Sequence, residues 1–211
     1  MRKQWTAVAV AGLVSVWSSA ALASEPHTHD GFFFQGNIGL GYLSTSPDFG
    51  DIELVDGDPK ISGFGVGGGL LFGGTPAPGL VIGGGTANVV AISPKYTVDG
   101  EEIEAFDDVN LNLSTIGVFG TFYPDPHGGL SLHLMLAYAV LSASSDGDTS
   151  DNNPDGPAIT AGLGYDFWVA PEWSIGVFGR FTYAATKWEE DGFEAKYPVL
   201  APALLATFTY H

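Results

Sequence analysis

Residues 109–123, VNLNLSTIGVFGTFY, sort into two alternating sets: Val109, Leu111, Leu113, Thr115, Gly117, Phe119, Thr121 and Tyr123 against Asn110, Asn112, Ser114, Ile116, Val118, Gly120 and Phe122. A period of two places the sets on opposite faces of a strand and is incompatible with the 3.6-residue repeat of an amphipathic helix. The pattern recurs at 31–44, 60–73, 80–92, 130–143, 157–169, 173–186 and 195–210, so the chain is read as eight strands. The connections alternate as well. GGTPAPG (73–79), PDPHGG (124–129) and APE (170–172) are short and rich in turn residues, whereas 45–59, 93–108, 144–156 and 187–194 are longer and polar. Tight turns at one end and long loops at the other predict an all-β fold, an eight-stranded antiparallel up-and-down barrel.

A soluble barrel or sandwich shows the same alternation, but its outer face meets water and needs charge. Strand 109–123 carries none, and 130–143 has only His133. Gly, Ser, Thr, Asn and Ala alternate with the large apolar residues, a set suited to a confined lumen. Aromatics mark the strand ends: Phe32, Phe34 and Tyr42 on the first strand, Trp173 and Tyr183 on the seventh, Phe208 and Tyr210 on the last. Such girdles bound the apolar band of a transmembrane barrel. The first residues fit export. Arg2 and Lys3 precede an apolar run from Ala7 to about Trp17 and small residues at Ala21 and Ala23, which reads as a signal peptide over 1–23. A periplasmic leader (24–30) and one barrel domain (31–211) follow. With no cysteine in the chain, stability has to come from non-covalent structure.

IGVFGRFTY (175–183) holds the only arginine after the signal peptide. Ile175, Val177, Gly179, Phe181 and Tyr183 share one face, which leaves Arg180 on the other, in the lumen. On the lipid face near the midplane it would cost about 2–4 kcal/mol.

These features together resemble the small eight-stranded outer-membrane barrels of the OmpX, OmpA transmembrane-domain and OmpW type. The resemblance covers the chain beyond its signal and rests on export signal, strand count, loop asymmetry and the closing alternation LLATFTY. The opening FFFQGNIGLGY looks like the first strand of OmpW-type barrels. It implies a Gram-negative outer-membrane location, with a structural or surface role or a narrow path for small or hydrophobic solutes.

Few residues suggest chemistry. Ser131 and His133 share the lumen face near the short-turn end, where a lipid substrate has no access, so an enzyme is not expected. His27 and His29 in EPHTHD are two of the four ligands a metal site needs and read as part of a solvated leader. GVGGGLLFGG has no lysine and no following helix, so no nucleotide cofactor is implied. A net charge of −17 excludes nucleic acid as a partner.

Gly63, Gly65, Gly67 and Gly69 form a lumen glycine face opposite Phe64, Val66, Leu70 and Phe72. They make room for large inward residues, expected to include Phe122, Met135, Trp168, Phe178 and Arg180, unless they leave a cavity. Arg180, Asp166 and His133 make up a polar cluster in the lumen, in which His133 and Asp166 are expected to interact, while Arg180 bonds to amides, hydroxyls or Asp166. Nineteen of the 24 acidic residues fall in the four long loops. They form a solvated rim, or a rim that draws divalent cations and bridges to lipopolysaccharide phosphates. DGDTSDNNPDG (146–156) departs from the EF-hand pattern at its sixth position, Asp151, so any binding there is shared between loops.

Overall fold

The computed structural model describes residues 26–48, 57–105, 109–145, 148–149, 153–190 and 193–211. The expected signal peptide lies outside them. Eight long strands are present: β1 (Gly31–Thr45), β2 (Pro59–Ala77), β3 (Leu80–Ile92), β4 (Val109–Phe122), β5 (Leu130–Ser145), β6 (Asp155–Ala170), β7 (Trp173–Glu190) and β8 (Phe193–Tyr210). Each pairs antiparallel with the next in sequence. β1 also pairs with β8, from Phe34↔Tyr210 to Thr45↔Val199, so the sheet closes and its long strands leave no open edge.

The turns follow from local chemistry. Gly79, at φ 77°, supplies the left-handed residue of the tight β2–β3 connection. Asp99 and Gly100, at φ 52° and 84°, join Lys95–Val98 to Glu101–Ala105. An Asp-Gly pair with both residues left-handed is the preferred two-residue hairpin turn. The polar stretch 93–108 therefore contains a hairpin, which continues the sheet above β2 through Pro59↔Val98 to Ser62↔Lys95.

All eight strands present large apolar side chains outward, among them Ile38, Leu40, Phe64, Ile82, Ile116, Leu136, Leu163, Val177 and Leu204. Leu40 is 73% exposed and Phe64 77%. Leaving a belt of such residues in water would forgo about 1.5–3 kcal/mol for each side chain, so this surface is built for lipid. Trp173, Phe208 and Tyr210 stack together at the short-turn end of the belt, with ring centroids 4.5 and 5.0 Å apart.

The inward set is buried. Met135, Phe178 and Arg180 point into the lumen as expected, and Trp168 is half-buried at its floor. Phe122 does not. It is 48% exposed on the lipid side, because Leu111, Leu113, Thr115, Phe119 and Thr121 are the inward residues of β4. Asn110, Asn112 and Ser114, which look like lumen lining, instead lie half-exposed on the outward face at the long-loop end, Asn110 and Asn112 opposite Ser144 and Ser142 of β5.

Candidate functional site

Arg180 lies 5% exposed in the middle of the lumen and crosses it. Its Nη2 donates to the carbonyl oxygens of Gly68 (2.9 Å) and Asn88 (2.7 Å), and its Nη1 donates to Asn37 Oδ1 (3.4 Å). One side chain on β7 thus bonds to β1, β2 and β3. The guanidinium is a planar fork of five donors, which suits this bridging better than an ammonium does. No carboxylate pairs with it among the described residues. The glycine face makes the reach possible: a Cβ on Gly69 would lie 3.3 Å from Arg180 Nη1, and one on Gly67 would lie 3.0 Å from Ala203 Cβ. Gly63 and Gly65 would meet Pro94, Ala91 and the Val90 carbonyl in the same way. The glycines are occupied space, not a channel.

Apolar side chains fill the lumen around the guanidinium. Leu43, Val89, Leu111, Leu113, Leu141 and Val199 belong to one buried cluster on the long-loop side. Phe33, Leu71, Phe119, Tyr123 and Met135 belong to a second toward the short turns. Asp166, 4% exposed, accepts hydrogen bonds from Tyr123 OH (3.0 Å) and Thr207 Oγ1 (3.3 Å), which offset the cost of burying it. His133 Nδ1 bonds to Thr121 Oγ1 at 2.9 Å. The expected His133–Asp166 hydrogen bond does not form. The register sets His133 opposite Gly162, four residues up β6 from Asp166, so the two side chains sit on different levels. They share only a cavity of about 10 Å³, which Gln35, Ser131 and Thr207 also line.

The floor is the part least anticipated. Residues 26–30 run across the short-turn end as a strap. His27 N–H donates to the Pro171 carbonyl (2.8 Å), His29 N–H to Pro126 (2.8 Å), and the His29 carbonyl accepts from Gly79 N–H (2.9 Å), so all three short turns are tied together. The His29 ring is fully buried and stacks on Tyr123 at 3.5 Å. Its Nε2 meets the Gly128 carbonyl at 2.7 Å and its Nδ1 meets His211 Nδ1 at 2.8 Å, while His211 Nε2 meets Ser174 Oγ at 2.8 Å. Burial holds the His29 imidazole down to about 4 and, with the neighbouring His29, the His211 imidazole down to about 2. The solvated leader expected around EPHTHD is overturned at His29, whose ring nitrogens are both taken by protein partners. Among the described residues no group of three or more His, Cys, Asp and Glu is placed to hold a metal.

No protein-family model and no curated protein sequence matches the chain. Two solved structures share the fold. Neisserial surface protein A is 15% identical, with 86% of this chain and 97% of that chain covered at a TM-score of 0.53. The outer membrane protein OprG of Pseudomonas aeruginosa is 12% identical, with 89% and 100% covered at a TM-score of 0.53. The fold is that of the small eight-stranded outer-membrane barrels. With its lipid-facing belt, this barrel sits in the outer membrane of a Gram-negative cell, and in barrels of this class the short turns face the periplasm and the long loops the exterior.

Of the barrel's anticipated residues, Arg180, Asp166 and His133 all lie in the lumen, with three separate sets of partners. Ser131 is buried beside His133, but the His133 nitrogen bonded to Thr121 is not aimed at it. Much of the acidic rim, including Asp51, Glu53, Asp56, Asp107, Asp108, Asp146, Asp151 and Asp191, lies outside the described residues. Sequence reasoning missed Ser174, His211 and Tyr123 as a floor cluster. The available signal was the paired histidines of EPHTHD together with a polar residue following the last strand.

Proposed function

We propose that this protein is a closed, non-enzymatic outer-membrane barrel whose role is exerted at the cell surface through its acidic loops. The supporting observation is the filled lumen: apolar clusters on both sides of Arg180, a polar pocket of about 10 Å³ and a strapped floor leave no path for a solute. The reading as a non-enzyme draws on the same crowding, since the space beside Ser131 and His133 admits nothing larger than a water. Function then falls to the rim, where the acidic residues of the four loops concentrate negative charge. Its partners are the surrounding outer-membrane lipid and lipopolysaccharide, with divalent cations bridging loop carboxylates to one another or to lipid phosphates.

Limited proteolysis in detergent tests the cation bridge. Millimolar calcium is expected to protect the loops more than sodium at equal ionic strength; equal protection by the two salts reduces the effect to screening. The second reading, a narrow path for small or apolar solutes along the glycine face, requires side chains packed over Gly67 and Gly69 to move aside, and flux through the resting barrel distinguishes it.

A further inference from the structure

The strap is held by a directional hydrogen-bond chain whose protons the geometry assigns. A carbonyl only accepts, so His29 Nε2 carries the hydrogen that meets Gly128 O. A neutral His29 then has a bare Nδ1, and His211 Nδ1 must be the donor across their 2.8 Å contact. That leaves His211 Nε2 bare, to accept from the Ser174 hydroxyl. Both imidazoles are neutral and each has one permitted tautomer. A first added proton is carried within the chain, His211 Nε2–H donating to Ser174 Oγ and one N–H lying between the two Nδ1 atoms, but a second sets Nδ1–H against Nδ1–H at 2.8 Å.

The surroundings are largely aromatic, and the Asp166 and Glu172 carboxylates are engaged by other donors. Tyr123 and Trp168 cover the His29 ring at 3.5 and 4.8 Å, and Phe33 and Trp168 cover His211 at 5.8 and 4.7 Å. The Asp166 carboxylate is engaged by Tyr123 and Thr207, and the Glu172 carboxylate by Tyr210 OH. Asp125, on the β4–β5 turn, favours a charged His29, and His127 on the same turn opposes it. Asp30 is the strap's own acid, and His27 sits against Trp168 at 5.5 Å.

We infer that the leader is a pH-sensitive strap over the periplasmic mouth, closed at neutral pH and released when protonation of both His29 and His211 breaks the hydrogen bond between their Nδ1 atoms. The sign follows from linkage. In the closed strap the two imidazoles titrate at about 4 and about 2, whereas once released they return toward about 6.5. The open form therefore binds more protons between these limits, so closure is complete above about 6.5 and weakens as pH falls toward 4. At pH 5 each imidazole shifts the balance toward opening by about 30-fold, and the pair by about a thousandfold.

The absence of native cysteine gives a clean readout. Thr28 is 6% exposed in the strap and its hydroxyl has no partner, so T28C loses no hydrogen bond. The full chain carrying T28C, reconstituted in lipid nanodiscs, is titrated with a pyridyl disulfide that reports thiols at acid pH. Its rate is divided by that of E101C, a reference at an exposed position of the loop hairpin. The ratio should rise at least 100-fold from pH 7.5 to 5 with a slope steeper than one proton. H29Q and H211Q should each flatten it, and H127Q, on the exposed turn, should leave it intact. A ratio that stays flat, a thiol already open at pH 7.5, or a transition that survives H29Q or is lost in H127Q overturns the inference.

Discussion

Replacing Arg180 with leucine tests whether the lumen is held together from its centre. The substitution strands the Gly68 and Asn88 carbonyls, which each receive a guanidinium hydrogen in the native barrel. A buried acceptor left unpaired costs about 1–3 kcal/mol, so the two together cost about 2–6. The shorter side chain also leaves a void of roughly 10–30 Å³, worth under about 1 kcal/mol. Against this, the variant no longer buries a charge that lacks a carboxylate partner, and the recovered desolvation is of the same size as one of the lost bonds. The net expectation is a loss of about 2–4 kcal/mol. Arg180→Lys should recover less than half of it, because a point ammonium does not reach both carbonyls and Asn37 at once. Urea unfolding in phospholipid vesicles, followed by tryptophan fluorescence, measures the difference. A loss below about 1 kcal/mol, or a leucine variant more stable than the native chain, would refute the bracing role assigned to Arg180.

A Cβ added at Gly162 would lie 2.4 Å from the Phe178 ring, so Gly162→Ala should destabilise by about 1–3 kcal/mol, with the smaller Phe178→Leu recovering part of it in the same unfolding assay. Leu40→Arg, on a side chain 73% exposed, should cost about 2–4 kcal/mol in bilayers, as a lipid-facing site near the midplane demands; a water-facing site would show under about 0.5.

The strands were legible because alternation carries two facts at once, the element and its two faces. β3 runs over Leu80–Ile92, as the pattern indicates, and β1 differs at one end by a single residue. The pattern fails toward the strand ends. On β4, Asn110, Asn112 and Ser114 face outward at the long-loop end, so polarity there does not report the lumen side, and Phe122 is assigned to the wrong face with them. Arg180 was placeable by parity, but its partners were not. Two of the three are backbone carbonyls on β2 and β3, and sequence says nothing about which carbonyls lie opposite across a closed barrel. The floor was illegible for a related reason. His29 and His211 are 182 positions apart and meet only because closure of β1 on β8 brings both ends of the barrel sequence to one mouth.

Electrical recording from the purified native chain in planar bilayers at neutral pH bears most directly on the closed lumen. The packed clusters and the Arg180 crossbar predict a silent membrane, with no unitary steps and no flux of small solutes. Reproducible conductance steps from the native protein would contradict it and would make the glycine face the wall of a working path.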